Sequence, residues 1–182
     1  MIDYIAMGMV LHEEMTGYGI KKEIEAGIGN FYQVSYGSLY PALKKLTAKG
    51  FLTMKEVTQG RRQKKYYRIT EAGKAAFLEW LSSPLDPEAD GSVQLMRLYF
   101  FGELPKDVRD QRLQEHEFLA QHHLWQLQAM EKQFAIETPD DRDYFELSTL
   151  YYGLQNAQNT IRWFRHIRAQ KPLPDFLCGD EA

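Results

Sequence analysis

Two strand-forming runs, FLTMKEV at 51–57 and KYYRIT at 65–70, flank the polar, glycine-bearing stretch TQGRRQK, and helical patterns stand on either side of the pair. Strand runs this close, separated by a glycine-containing polar segment, predict a β-hairpin. A hairpin embedded among helices restricts the fold more than any other feature here, because the chain must reach it from a helix end and leave it into a helix start within a few residues.

Upstream, residues 2–12 are mostly apolar and read as a helix. Thr16 offers an N-cap hydroxyl to GYGIKKEIEAGI, in which Tyr18, Ile20 and Ile24 form an apolar side and Gly27 and Gly29 the end. In SYGSLYPALKKLTAKG, Leu39, Leu43 and Leu46 recur at spacings of four and three, a buried stripe that stops at Gly50, while Tyr36, Tyr40 and Lys44 line another face. Pro41 lacks the amide proton that a helix interior needs. Either Ser38 is the cap and Pro41 lies in the first turn, or Ser35 is the cap and the helix is strained at Gly37; a start between the two serines is expected. Beyond the hairpin, Thr70 opens a fourth helix in EAGKAAFLEWL. Three helices, a hairpin and a helix is the winged helix-turn-helix order, in which the third helix enters a major groove and the hairpin touches flanking backbone.

Charge agrees with that order. The net charge of −3 conceals an asymmetry: residues 1–80 carry 12 Lys+Arg against 8 Asp+Glu, and residues 81–182 carry 10 against 17. Within 33–68 the only acid is Glu56, set against nine cations. A charge run alone means a solvated loop. Beside a third helix and a hairpin, the same run suits a polyanion such as double-stranded DNA.

SSPLDPEADG at 82–91, rich in proline and acids, divides the chain into a DNA-binding domain at 1–82, a linker at 83–91 and a helical domain at 92–182. There, VQLMRLYFF predicts a short helix. Pro105 starts a long one to about Ile136, and Thr138, Pro139 and two aspartates start another to about Gln170. Two long helices joined by a tight turn are expected to run antiparallel. Leu113, Ala120, Leu124, Leu127, Met130 and Phe134 stripe the first, with Phe118 and Trp125 off the stripe. The second carries Tyr144, Leu147, Tyr151, Leu154 and Ile161 on one side and Phe145, Tyr152, Trp163 and Ile167 on another. Each helix has more apolar surface than one partner buries, so a homodimer is expected.

The segments TGYGI at 16–20, GSLYPALKKLTAKGFL at 37–52 and KKYYRITEAGKAAFLEWL at 64–81 resemble the PadR family of bacterial transcriptional regulators. The likeness spans about the first 81 residues; the remainder agrees in architecture. It implies a mainly α fold with a small β-hairpin wing, an N-terminal winged helix-turn-helix and a C-terminal antiparallel helical dimerisation domain. It also implies that the helix begun near Ser35 and bearing Tyr36, Ser38, Tyr40, Lys44 and Lys45 reads DNA, with Arg61, Arg62, Lys64 and Lys65 on the wing. Serine and tyrosine hydroxyls donate to phosphate or base edges, lysines neutralise phosphate, and arginine pairs with guanine. Tyr40 also suits half-buried packing, and Tyr66, Tyr67 and Ile69 suit the wing core. Members of the family often release DNA on binding an aromatic or otherwise apolar compound, phenolic acids among them.

Nothing in the sequence supplies a catalytic constellation: there is no glycine-rich phosphate loop, no G-x-S-x-G and no cysteine pair for zinc. No enzyme, cofactor or metal is expected. His116 and His123 lie two helical turns apart, roughly 10 Å, which suits an interface better than a shared ion. Trp125, Tyr151, Tyr152 and Trp163, near Asn156 and Asn159, have the composition of a small aromatic effector site, and core packing accounts for most of them equally well. The lone Cys178 forms no intrachain disulfide, and YIAMGMVL is too short to span a membrane, so a cytoplasmic protein is expected. The reading is a homodimeric regulator, a repressor on an inverted-repeat operator. Its rival is a winged-helix protein-interaction module without sequence-specific DNA binding, against which the cationic GRRQKK argues.

Overall fold

The computed structural model describes residues 1–59, 62–84, 86, 91–134 and 140–177, with the side chains of Gln59, Arg62 and Ser92 set aside. Arg61, most of the expected linker, Thr138, Pro139 and Cys178 lie outside the described residues.

Helix α1 (Ile2–Met9) is followed by the two-residue strand β1 (Met15–Thr16), α2 (Gly17–Ile28) and α3 (Tyr36–Ala48). Strands β2 (Leu52–Gln59) and β3 (Arg62–Ile69) form the hairpin, and α4 (Glu71–Ser82) follows. One device starts three of these helices. The hydroxyls of Thr16, Ser35 and Thr70 accept from the amides of Gly19, Ser38 and Gly73 at 3.1, 3.1 and 3.0 Å. Such a cap contributes about 1 kcal/mol and fixes where the helix begins. Ile5, Ile20, Ile24, Leu39, Leu43 and Phe77, fully shielded from solvent, bring α1 to α4 around one core.

Four expectations shift. The first helix ends at Met9 rather than near residue 12, because the chain turns there to pair Met15 opposite Tyr67 and Thr16 opposite Tyr66. That makes a three-stranded antiparallel sheet in the order β1-β3-β2 instead of a bare hairpin. Gly27 lies within α2, where a Cβ would collide with the Tyr99 ring, and Gly29 alone is the cap. Helix α3 does start between the two serines, at Tyr36, with Ser35 as its cap and Pro41 inside it. The hairpin is longer than its strand-forming runs: pairing extends from Leu52 opposite Ile69 out to Gln59 opposite Arg62, so Gln63 and Lys64 are strand residues.

The C-terminal end of α3, both roots of the hairpin and the start of α4 meet at one point. Gly50 takes φ +73°, the left-handed conformation that glycine adopts without strain. The Thr70 hydroxyl donates to the Gly50 carbonyl at 2.7 Å and the Thr70 amide to the Phe51 carbonyl at 3.0 Å.

Further on lie α5 (Gly91–Tyr99), a 3-10 turn (Phe101–Glu103), α6 (Lys106–Gln133), α7 (Asp141–Arg168) and the short α8 (Leu173–Leu177), which the sequence pattern did not announce. Two compact units result, Met1–Arg109 and Asp110–Ala182, and the expected linker at 83–91 falls inside the first. There Arg97 of α5, buried at 6% exposure, donates to the carbonyl of Leu81 at 2.8 Å and of Pro84 at 3.3 Å.

In the second unit α6 and α7 run antiparallel. Glu117 in the first half of α6 meets Arg165 and Arg168 near the end of α7 at 2.7 and 3.2 Å, and Leu127 packs on Gly153 further along α6. Asp140 caps α7 in a reciprocal box with Asp143, so the helix begins after the expected Thr138. Leu124, Leu154, Ala157 and Ile161 form the core, with Ala120, Leu127 and Leu150 at its edge. Tyr144 and Tyr151, expected on that stripe, turn outward at 63% and 55% exposure, because two helices bury only a narrow strip of each other. Among the described residues no helix is long and apolar enough to cross a membrane.

Candidate nucleic-acid interface

The third helix separates cleanly into two sides. Leu39, Ala42, Leu43 and Leu46 are buried, and Tyr36, Gly37, Ser38, Tyr40, Pro41, Lys44, Lys45 and Ala48 are exposed. At the N-terminal end the Ser35 hydroxyl holds the Ser38 amide while the Ser38 hydroxyl donates to the Ser35 carbonyl at 3.0 Å. Both expected serines therefore build the cap and remain exposed. Tyr36 and Tyr40 stack with centroids 5.8 Å apart, and the Lys21 ammonium lies 5.0 Å from the Tyr36 ring. Lys21 also binds Glu25, a hydrogen bond that raises its pKa. The Tyr40 ring rests against Gly17, where a Cβ would come within 2.7 Å of it, so Tyr40 is at once a packing residue and an exposed one.

The cations differ in their partners. Lys44 is exposed, whereas the Lys45 ammonium is held at 2.6 Å by Asp3 of α1. On the hairpin, register assigns the faces, since directly opposed residues share a side. One face carries Leu52, Met54, Glu56, Lys65, Tyr67 and Ile69, with Leu52 and Tyr67 buried and Lys65 paired to Glu56 at 3.3 Å. Burial also raises the pKa of Tyr67. The other face carries Thr53, Lys55, Val57, Lys64, Tyr66 and Arg68. Lys55 there meets Glu14 at 2.6 Å, and Lys64 and Arg68 are exposed. The four cations expected on the wing are thus divided: Lys64 and Lys65 lie on opposite faces of β3, Arg62 is known by its backbone position opposite Gln59, and Arg61 lies outside the described residues. Arg68 joins Lys64 on the outward face. It went unassigned in the sequence, although the period of two from Lys64 was available to find it.

The four aromatics expected at an effector site lie on α6 and α7. Trp125, Tyr151 and Tyr152 are exposed at 55%, 55% and 70%, and Trp163 is half-buried beside Phe164. Glu131 accepts a hydrogen bond from Tyr151 and raises its pKa. Other residues line the clefts of this unit. One of about 540 Å³ has Leu124 and Ile161 as its floor and Arg162, Arg165, His166 and Lys171 around it; another of about 510 Å³ is formed by Leu127, Met130, Phe134, Leu147 and Leu150, with Asp143 and Glu146 at its edge. His116 is buried and stacked on Phe164 at 4.7 Å, while His122 and His123 are exposed. Among the described residues no three His, Cys, Asp or Glu side chains cluster as a metal site would need.

Comparison with known proteins matches both parts of the chain. Residues 7–79 fit the transcriptional regulator PadR-like family, and residues 93–170 fit the virulence activator alpha C-terminal family, bracketing the expected linker. The chain is similar to the negative transcriptional regulator PadR of Bacillus subtilis, 28% identical over 92% of this chain and 96% of that one. Crystal structures of B. subtilis PadR are similar too. One is in complex with operator DNA (25% identity, 92% of this chain and 97% of that one, TM-score 0.46). Another is in complex with p-coumaric acid (25% identity, 93% and 97%, TM-score 0.43). With its helix-hairpin-helix region matched by the one family and its helical region by the other, the chain belongs to the PadR-like family of transcriptional regulators.

Proposed function

We propose that the protein is a homodimeric repressor that binds a short inverted repeat in double-stranded DNA through α3 and the hairpin, and that a small aromatic compound releases it. The observation that carries the DNA-binding reading is the pair of exposed surfaces in one domain: the Tyr36, Tyr40 and Lys44 side of α3 and the Lys64 and Arg68 face of the hairpin. A helix of 13 residues suits a major groove about 12 Å wide, and cations on a neighbouring strand suit its phosphate walls. Residues 1–82 are the DNA-binding part of this proposal and residues 92–182 the dimerising part.

Dimerisation is supported by Phe118 and Trp125 on α6 and by Phe145 and Tyr152 on α7, each more than half exposed in the protomer. Large apolar rings left exposed on both long helices suit an association face. Repression is supported by similarity to a relative whose name describes negative regulation. The effector proposal rests on the aromatic density of α6 and α7, where Trp125, Tyr151, Tyr152 and Trp163 stand near Asn156 and Asn159 in sequence. A regulator with a chromosomal target works in the cytoplasm.

Selection of bound duplexes from a randomised library tests the DNA reading. Enrichment of a dyad with half-sites about 10 bp apart, or a multiple of that, is expected. Failure to enrich any sequence would leave the winged helix as a protein-contact module.

A further inference from the structure

Two residues of α3 are unfavourable in a helix, and nothing seen among the described residues requires either. Pro41 is the sixth residue of the helix; it has no amide proton, so the carbonyl of Gly37 lacks the donor that an interior helical carbonyl receives from four residues on. Gly37 has no left-handed backbone to justify a glycine, since Gly50 is the one described glycine with positive φ. Nor does Gly37 make room for a neighbour. A Cβ built there meets nothing nearer than the Ser35 hydroxyl at 3.6 Å, ordinary contact, so alanine fits. This contrasts with Gly17, whose missing Cβ accommodates the Tyr40 ring.

The two residues share one line of the helix. At 3.6 residues per turn, Gly37, Pro41, Lys44 and Ala48 fall directly opposite the buried Leu39, Leu43 and Leu46, and all four are exposed. Tyr36 and Tyr40 flank the line on one edge and Ser38 and Lys45 on the other. A surface that had only to be solvated would favour charged, helix-forming residues along its outermost line. Here it carries a hydrogen, a ring held close to the backbone and a methyl group, with Lys44 as the one long side chain. Residues that break local rules without an internal reason point to a functional constraint. A line so poor in side chains lets the main chain itself come close to another surface, offering it a carbonyl without its usual helical donor and a small apolar ring.

The floor of a major groove presents the complementary groups: the C5-methyl of thymine and the amino hydrogens of adenine or cytosine. We propose that Gly37 and Pro41 form the base-reading element of α3, the Pro41 ring packing on a thymine methyl and the Gly37 carbonyl accepting from an adjacent adenine or cytosine amino group. Tyr36 and Tyr40 then serve the groove walls and position the helix. The inference rests on the reading of α3 as the DNA-contacting helix.

The test uses the full-length protein and a duplex that wild type enriches from a random library. If wild type enriches nothing, it is the DNA-binding reading that fails. Given an enriched duplex, deoxyuridine replaces thymidine one position at a time. One position per half-site should weaken wild-type binding about fourfold, the effect of one lost methyl contact. Gly37→Ala and Pro41→Ala should each lower affinity for that duplex about tenfold while leaving affinity for random duplex within twofold, and Pro41→Ala should be indifferent to deoxyuridine. Neither variant should melt below wild type, because alanine is the better helix former at both positions. The proposal is overturned if deoxyuridine is neutral everywhere, if both variants keep the selected-to-random ratio within twofold, or if they lose both affinities equally.

Discussion

The guanidinium of Arg97 on α5 donates to the carbonyl of Leu81 in the last turn of α4, at 2.8 Å and out of reach of solvent. Its carbon also lies 5.6 Å from the centre of the Trp80 ring. A cation at this end of a helix satisfies carbonyls that have no intrahelical donor and complements the helix dipole. Replacing it with methionine keeps the stem and removes the donors, so Arg97→Met is expected to destabilise the first unit by about 2–3 kcal/mol. Urea denaturation measures it, and a loss below about 0.5 kcal/mol would show that the clamp contributes nothing beyond packing.

Lys64 and Arg68 stand on the outward hairpin face. Lys64→Ala with Arg68→Ala should weaken binding to every duplex alike and reduce the slope of log affinity against log salt by about 2 per protomer, about 4 for the dimer, close to one released counterion per contact. Lys55→Ala removes an ammonium already held by Glu14 and should change the slope less. Fluorescence titrations over a range of salt concentrations decide it; equal slopes for all variants would return the hairpin to simple solvation.

Phe145 and Tyr152 on α7 are 69% and 70% exposed, so aspartate at both should leave the protomer core intact. If these rings hold two copies together, the double variant sediments as a folded monomer with an unchanged far-ultraviolet circular dichroism spectrum. A dimer as stable as wild type would move the interface elsewhere.

An effector that releases DNA must bind the free conformation better than the DNA-bound one, and a tenfold loss of operator affinity corresponds to about 1.4 kcal/mol of coupling. The coupling is reciprocal. An aromatic compound that acts this way should quench tryptophan emission, raise the melting temperature of the free protein and bind more weakly with operator present. Quenching that operator DNA leaves unchanged would show a pocket without a switch.

Much of the DNA-binding half was legible because its signals are local. Thr16, Ser35 and Thr70 are capping residues, Leu39, Leu43 and Leu46 keep helical spacing, and the hairpin's strand formers adjoin a glycine. Strand β1 was not legible, since two residues establish no alternation and Met15 and Thr16 extend only because β3 offers them a ladder. Arg97 was hidden for a similar reason. A lone arginine on a short apolar helix reads as exposed until the carbonyls it binds, 13 and 16 residues away in sequence, are brought to it. The wing cations were visible as a cluster, but only register separates Lys64 and Arg68 from Lys65, which faces the other way against Glu56. In the helical half, periodicity counted apolar residues correctly and could not say how wide a strip one neighbour covers, so Tyr144 and Tyr151 emerged at the surface.

The junction at Gly50 and Thr70 has a mechanical meaning. One residue in a left-handed conformation and one threonine hydroxyl fasten the end of α3, the roots of both hairpin strands and the start of α4. Elements pinned at a common hinge point do not swing against one another. The proposed reading helix and its wing are therefore expected to move as one piece. In the proposed dimer, a signal is then expected to act on the span and tilt between two such heads, as one adjusts callipers without reshaping the jaws.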